Sequence, residues 1–250
     1  MAPTPSTSER LQVMQAVEEG WQAFRRAPWP FVLFTLLTGA LNVGFQALSN
    51  LSGLPEANQP PLAVLVITTI VGTVGQVLVN LWGSIGLIRG AWMALEGGRP
   101  RWSTFSRWDG SAAGRLFLRQ LLFGVVLLVV LLVGVLLTVG LGQLQPLLGA
   151  IPGLTTVVVL LYLSVGQAFL PWVSLLEGRG PVATLQRGRE VVDPQWWWVV
   201  LLGLMQGAIL LIGALLCGVG LLAATPIVLC VATAAYRQLF GREDRTGLVN

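Results

Sequence analysis

Two acidic residues stand in matching places. Glu96 lies in Ala94-Leu95-Glu96-Gly97-Gly98-Arg99-Pro100 and Glu177 in Leu175-Leu176-Glu177-Gly178-Arg179-Gly180-Pro181, an offset of 81 residues. Two carboxylates that meet can share acid–base work. The competing reading is that each pairs with a neighbouring arginine or caps an amide where the chain turns. Ser164 and Ser174 are candidate nucleophiles, but the sequence holds no histidine and no lysine, and no acid falls mid-span, so neither serine has an evident base. Helix packing is the expected role of both. No catalytic residue, metal or cofactor is expected, and the chain does not read as an enzyme.

Uncharged amides form a second set. Asn42 with Gln46, and Gln76 with Asn80, each share a helix face by i,i+4 spacing, and Gln167 and Gln206 lie in later apolar runs. Asn42, Gln46, Gln76, Asn80 and Gln167 could line a polar cavity, as a passive carrier or channel for a small or amphipathic solute requires. Interhelical hydrogen bonding accounts for them more simply. Proton-coupled transport is disfavoured, because no ionisable side chain is evident inside a span.

All 15 basic residues are arginines, against 11 acids, for a net charge of +4. The arginines are scattered beside apolar runs rather than gathered into one patch, which speaks for membrane flanks and against nucleic acid. Arg25, Arg26, Arg107, Arg187 and Arg189 are assigned to anionic phospholipid headgroups.

The elements that must carry these groups are membrane spans. The chain is 54% hydrophobic and 10% charged, with a mean hydropathy of +0.76, too apolar for a water-soluble globule. Six stretches reach the length of about 20 residues needed to cross about 30 Å of hydrocarbon: 29–48, 61–88, 116–141, 151–176, 196–216 and 221–239. The expected fold is all-α, a polytopic six-span helix bundle in one membrane domain, 1–250. A single helix over 196–239 would be too long, so Cys217-Gly218-Val219-Gly220 is read as a tight hairpin turn.

Every arginine lies before span one, between spans two and three, between four and five, at the adjoining span ends, or at and after the end of span six. The alternate connections carry none. The positive-inside rule then puts both termini on the cytoplasmic face; the expected location is a bacterial plasma membrane or another internal membrane such as a thylakoid. Met1 to Ser8 hold no arginine, and Glu18 and Glu19 precede any long apolar run, so no cleavable signal is expected. Trp29, Trp82, Trp92, Trp172 and Trp196-Trp197-Trp198 read as headgroup anchors. Cys217 and Cys230 are placed too far apart along the helix to join.

The repeated Glu-Gly segments each follow a span and precede a short amphipathic stretch opened by Pro100 or Pro181. Trp102, Phe105 and Trp108 mark the first, and Val182, Leu185 and Val192 the second. A third copy without the motif opens the chain, with Ser6 and Glu9 as a capping box and Leu11, Met14, Val17, Trp21 and Phe24 on one face. The chain thus divides into three units, each an interfacial helix (7–26, 100–113, 181–193) followed by a hairpin of spans. Gly203 and Gly207 form a GxxxG element, and Gly72, Gly75, Gly83 and Gly86 line span two, suiting close helix packing within the chain or between copies. Pro171 and Pro226 are expected to kink spans four and six.

The segments Pro171-Trp172-Val173-Ser174-Leu175-Leu176-Glu177-Gly178 with Pro181, Trp196-Trp197-Trp198, Gly213 to Gly220, and Ala235-Tyr236-Arg237-Gln238-Leu239-Phe240 resemble a broad group of bacterial integral membrane proteins of unknown function. These are similar to the membrane domain attached to some glycerophosphodiester phosphodiesterases. The resemblance implies a membrane-domain family with no catalytic residues to transfer. The expected function is that of a non-catalytic scaffold, assembly or lipid-interacting subunit, with the lipid bilayer, anionic phospholipids and a membrane protein or a second copy of the chain as partners. The alternative is the passive carrier.

Overall fold

The computed structural model describes residues 10–51, 60–216 and 218–249. Within them the protein is all helical: α1 Val13–Arg26, α2 Pro28–Ser49, α3 Leu62–Leu95, α4 Trp102–Ser106, α5 Gly110–Leu144, α6 Pro146–Gly166, α7 Leu170–Leu176, α8 Pro181–Val192, α9 Trp196–Leu215 and α10 Leu221–Phe240. Six helical stretches are long and apolar enough to cross a membrane. They make a multi-pass bundle of three hairpins, α2–α3, α5–α6/α7 and α9–α10.

Glycines let the two arms of each hairpin approach. A Cβ on Gly75 would strike the Phe45 ring, one on Gly149 would lie 2.8 Å from the Gly142 Cα, and one on Gly213 would lie 2.7 Å from the Ala224 Cβ. Gly203 and Gly207 have nothing within 4 Å, so the GxxxG face of α9 packs against no other part of the described chain.

The repeated Glu-Gly motif is a helix stop. Gly97 (φ 91°) and Gly178 (φ 65°) take the left-handed conformation that suits a residue without a Cβ. At the end of α3, the Gly98 N–H reaches the Met93 carbonyl (3.0 Å) and the Gly97 N–H the Ala94 carbonyl (3.1 Å), a Schellman closure. Pro181 then sits in the first turn of α8, where its missing N–H costs nothing.

Several boundaries differ from those read in the sequence. The segment expected as one interfacial helix over 100–113 is the short α4, an extended link, and the first turn of α5. That helix begins at Gly110 because the Asp109 carboxylate accepts from the Ala112 N–H (3.0 Å) and caps it. Span four begins at Pro146 and is broken after Gly166; the chain re-enters a helix at Leu170, with Pro171 in its first turn. Pro226 lies inside a continuous α10.

The core gathers at the end of the bundle that carries the arginines. It combines α1, the starts of α2, α5 and α9, the ends of α3 and α10, and α7. The α1 helix lies against α10, and the face it buries is Val13, Ala16, Gly20, Ala23 and Phe24. Of the apolar set read in the sequence, Leu11 and Phe24 are buried, whereas Met14 and Trp21 are exposed. A close crossing needs small residues, and a Cβ on Gly20 would lie 2.5 Å from the Val231 nitrogen. The proposed Ser6–Glu9 capping box lies outside the described residues, as does Cys217. In α8 the buried positions are Thr184, Gly188 and Val192, while Val182 faces out. Trp92 and Trp172 are core residues rather than surface anchors. Trp172 donates from Nε1 to Thr233 Oγ1 (2.9 Å). Trp29, Trp197 and Trp198 remain exposed.

Candidate functional site

The two motif acids serve the helix ends they terminate. Glu96 accepts from Trp92 Nε1 (2.9 Å), one turn back on its own helix. Glu177 pairs with Arg179 (2.6 Å) and Arg187 (3.8 Å). Each is thus engaged by a different set of neighbours, and no group of three or more His, Cys, Asp or Glu that could hold a metal occurs among the described residues. Ser174 is fully buried and its hydroxyl has no hydrogen-bond partner among the described residues, and Ser164 is exposed.

The five amides do not converge. Asn42 donates to the Thr38 carbonyl of its own helix (3.0 Å), Gln76 to Ser49 Oγ (3.3 Å), and Gln167 to the Leu185 carbonyl of α8 (2.9 Å). Gln46 and Asn80 are exposed. The groove beside α2 and α3 is apolar, lined by Phe45, Leu78, Val79 and Trp82, and takes none of these amides.

The arginines divide into two sets. Arg89 and Arg119, both buried, hold backbone carbonyls. Arg89 donates from Nε to Leu248 O (3.0 Å) and from Nη1 to Arg107 O (2.9 Å) and Thr104 O (3.4 Å). Arg119 donates to Thr184 Oγ1 (3.0 Å) and to the Arg179 carbonyl. Arg26 reaches the Ala94 carbonyl at the end of α3. The C-terminal tail satisfies α7 in the same way: Thr246 Oγ1 donates to Leu175 O (2.6 Å) and the Arg245 N–H to Leu176 O (2.9 Å). Helix C-termini leave carbonyls without intrahelical donors, and these contacts fill that need. The tail is folded around Asp244, whose carboxylate accepts from the N–H groups of Thr246, Gly247 and Val249 at 2.8–3.1 Å.

Of the arginines assigned to lipid, Arg25, Arg26, Arg107 and Arg189 are exposed. Arg189 lies over the Tyr162 ring (5.7 Å), and Arg187 is drawn inward by Glu177 and lies over the Phe240 ring (5.9 Å). The remaining basic residues include a group the sequence hid. Arg10, Arg26, Arg237 and Arg242 line one polar cavity of about 520 Å³ between α1, the end of α3 and the end of α10. They come from opposite ends of the chain, and only the packing of α1 on α10 brings them together.

The chain matches no family model, no curated protein and no solved structure.

Proposed function

We propose that this protein is a non-catalytic membrane scaffold, an assembly or lipid-interacting subunit of a bacterial plasma membrane, with its arginine-bearing end in the cytoplasm. The observation that carries this reading is the fate of the polar groups. Asn42, Gln76 and Gln167 are bonded to nearby carbonyl or hydroxyl groups, Gln46 and Asn80 face outward, and the buried Arg89 and Arg119 hold backbone carbonyls. A carrier needs polar groups aimed into a shared path, and nucleophilic catalysis needs a nucleophile with its base. The arrangement instead fixes helix ends and leaves Arg25, Arg107 and Arg189 on the surface for anionic headgroups, each contributing about 1 kcal/mol near such a membrane.

Reconstitution in liposomes tests the assignment. The protein is expected to leave permeability to ions, glycerol and amino acids at the level of protein-free vesicles. A saturable solute flux that Asn42→Ala together with Gln76→Ala abolishes would replace the scaffold with the carrier. Orientation is read with single cysteines introduced at Leu147→Cys and Arg242→Cys in a chain freed of its own cysteines. Labelling of the Arg242 position from outside intact cells would reverse it.

A further inference from the structure

We propose that the cavity between α1, the end of α3 and the end of α10 is a binding site for a phosphate-bearing anion, either the headgroup of an anionic lipid or a small soluble phosphate ester. Its volume, about 520 Å³, lies within the range of about 300–1,000 Å³ typical of small-molecule sites. Among the described residues, four guanidiniums, from Arg10, Arg26, Arg237 and Arg242, line the cavity with one carboxylate, Glu19. Glu19 is already engaged as the acceptor for Gln15 Nε2 (2.7 Å). Glu96 stands near Arg237 as the second acid, and it accepts from the Trp92 indole.

Two buried donors of this wall have no hydrogen-bond partner among the described residues: Nη1 of Arg237 and Nε2 of Gln238. The Gln238 side chain is oriented by its oxygen, which accepts from the Gln12 N–H (3.0 Å), so its NH2 group is held in place as a donor. The Arg237 guanidinium lies over the Trp92 ring at 5.0 Å, which fixes its plane while leaving Nη1 unused. A buried donor without an acceptor is unfavourable, and a charged one more so. A phosphate oxygen reaches these donors only as the side chains that cover them move aside, and it then supplies the missing acceptor. Arginine's planar fork suits phosphate geometry, and the charge-assisted bonds formed are about twice as strong as neutral ones. Arg237 and Gln238 thus form the inner wall of the cavity, and the exposed Arg10, Arg26 and Arg242 form its rim.

This inference is independent of the scaffold reading, since an anion site can serve either a scaffold or a carrier. The test uses the full chain purified in a non-ionic detergent. Calorimetric titration with inorganic phosphate and with glycerol 3-phosphate measures the soluble source. Native mass spectrometry after exchange into nanodiscs of phosphatidylglycerol or of phosphatidylcholine measures the lipid source. Saturable binding in at least one arm is expected, weakened tenfold or more by Arg237→Gln and by Arg242→Gln. Glu19→Gln is expected to tighten it threefold or more, a gain that damaged folding does not produce. Arg115→Gln, a substitution outside the cavity, is expected to leave affinity within twofold. A preference for phosphatidylglycerol without soluble binding assigns the site to lipid headgroups, and the reverse assigns it to a soluble ester. Absence of binding in both arms at millimolar ligand overturns the proposal. So does binding that Arg115→Gln weakens as much as Arg237→Gln, or that Glu19→Gln fails to strengthen.

Discussion

The contact between α1 and α10 is set by a single residue without a side chain, and Gly20→Ala tests whether it organises the arginine-bearing end. A Cβ at position 20 would lie 2.5 Å from the Val231 nitrogen and 2.6 Å from its Cα, whereas ordinary contact begins near 3.4 Å. The obstructing atoms are backbone and cannot rotate aside, so the helices must part by about 1 Å. A gap of that size forfeits about a quarter to a half of each dispersion contact along the stripe of Val13, Ala16, Ala23 and Phe24. Overpacking of this kind costs about 1–3 kcal/mol. Alanine's better helix propensity returns about 0.5–1 kcal/mol. Taking the middle of each range, the net loss is about 1 kcal/mol, which raises the population of the opened interface about fivefold. Cys230, fully buried and adjacent to Val231, reports that opening. In a Cys217→Ser background its rate of modification by a soluble maleimide follows the local opening equilibrium. Gly20→Ala is expected to accelerate labelling by about fivefold. Gly114→Ala, where nothing lies within 4 Å, is expected to leave it unchanged. Equal labelling rates in Gly20→Ala, Gly114→Ala and the parent would refute the close crossing.

Two further substitutions address the polar framework. Arg89→Gln removes the guanidinium that holds the carbonyls of Leu248, Arg107 and Thr104, and is expected to cost about 3 kcal/mol in detergent denaturation. It should also speed tryptic cleavage after Arg242 and Arg245; an unchanged cleavage rate would mean that the tail is held by other contacts. Asp109→Ala should cost about 1 kcal/mol by uncapping α5. Hydrogen bonds from the Ala112 N–H and then the Ser111 hydroxyl hold the Asp109 carboxyl below its ordinary 3.8. Its contribution is therefore complete above that value and fades as the pH falls through the lower folded one, so the gap between parent and variant should close only in strong acid. A gap that instead closes between pH 5 and 7 would assign the effect to another group.

The sequence carried the spans well and their ends unevenly, for identifiable reasons. The last hairpin, expected at 196–216 and 221–239, is found at Trp196–Leu215 and Leu221–Phe240, since hydropathy and the glycines of its turn act together. The start of α5 moved outward to Gly110 because a local cap at Asp109 extends the helix through Arg115 and Arg119, residues that hydropathy reads as a boundary. The face of α1 that meets α10 was not legible, because apolar scales pick out Leu11, Met14, Val17, Trp21 and Phe24, whereas the observed crossing selects Ala16, Gly20 and Ala23 for their small size. The cavity arginines were visible only as scattered flank charges. Many partners of the arginines are backbone carbonyls, which have no signature in the sequence, and Arg10 meets Arg242 only through the packing of the first helix on the last.

The uneven burial of the six spanning helices has one physical origin. Of the most apolar 18-residue stretch in each, α10 has 56% buried within the protein, whereas α5 has 6%. In water such a contrast would mark an unfinished fold. In a bilayer it need not, because lipid tails are as apolar as leucine and helix faces gain no hydrophobic energy by meeting one another. Within the hydrocarbon, only small residues that admit close approach and polar groups that require partners favour specific contacts. In this chain they hold α5 to α6 at Gly134 and Gly149 and hold α2 to α3 at Gly72 and Gly75. At the arginine-bearing end, α1 and α8 carry both polar and apolar faces, and helix ends expose carbonyls. Burial of apolar area and satisfaction of the backbone therefore act together there, and α10 is the helix on which they converge. It receives α1 at Val231, orders Trp172 through Thr233, and places Arg237 over Trp92. Polar substitutions on that half of α10 should therefore disturb the protein far more than exchanges among Leu, Val and Ile on the exposed faces of α5 and α6.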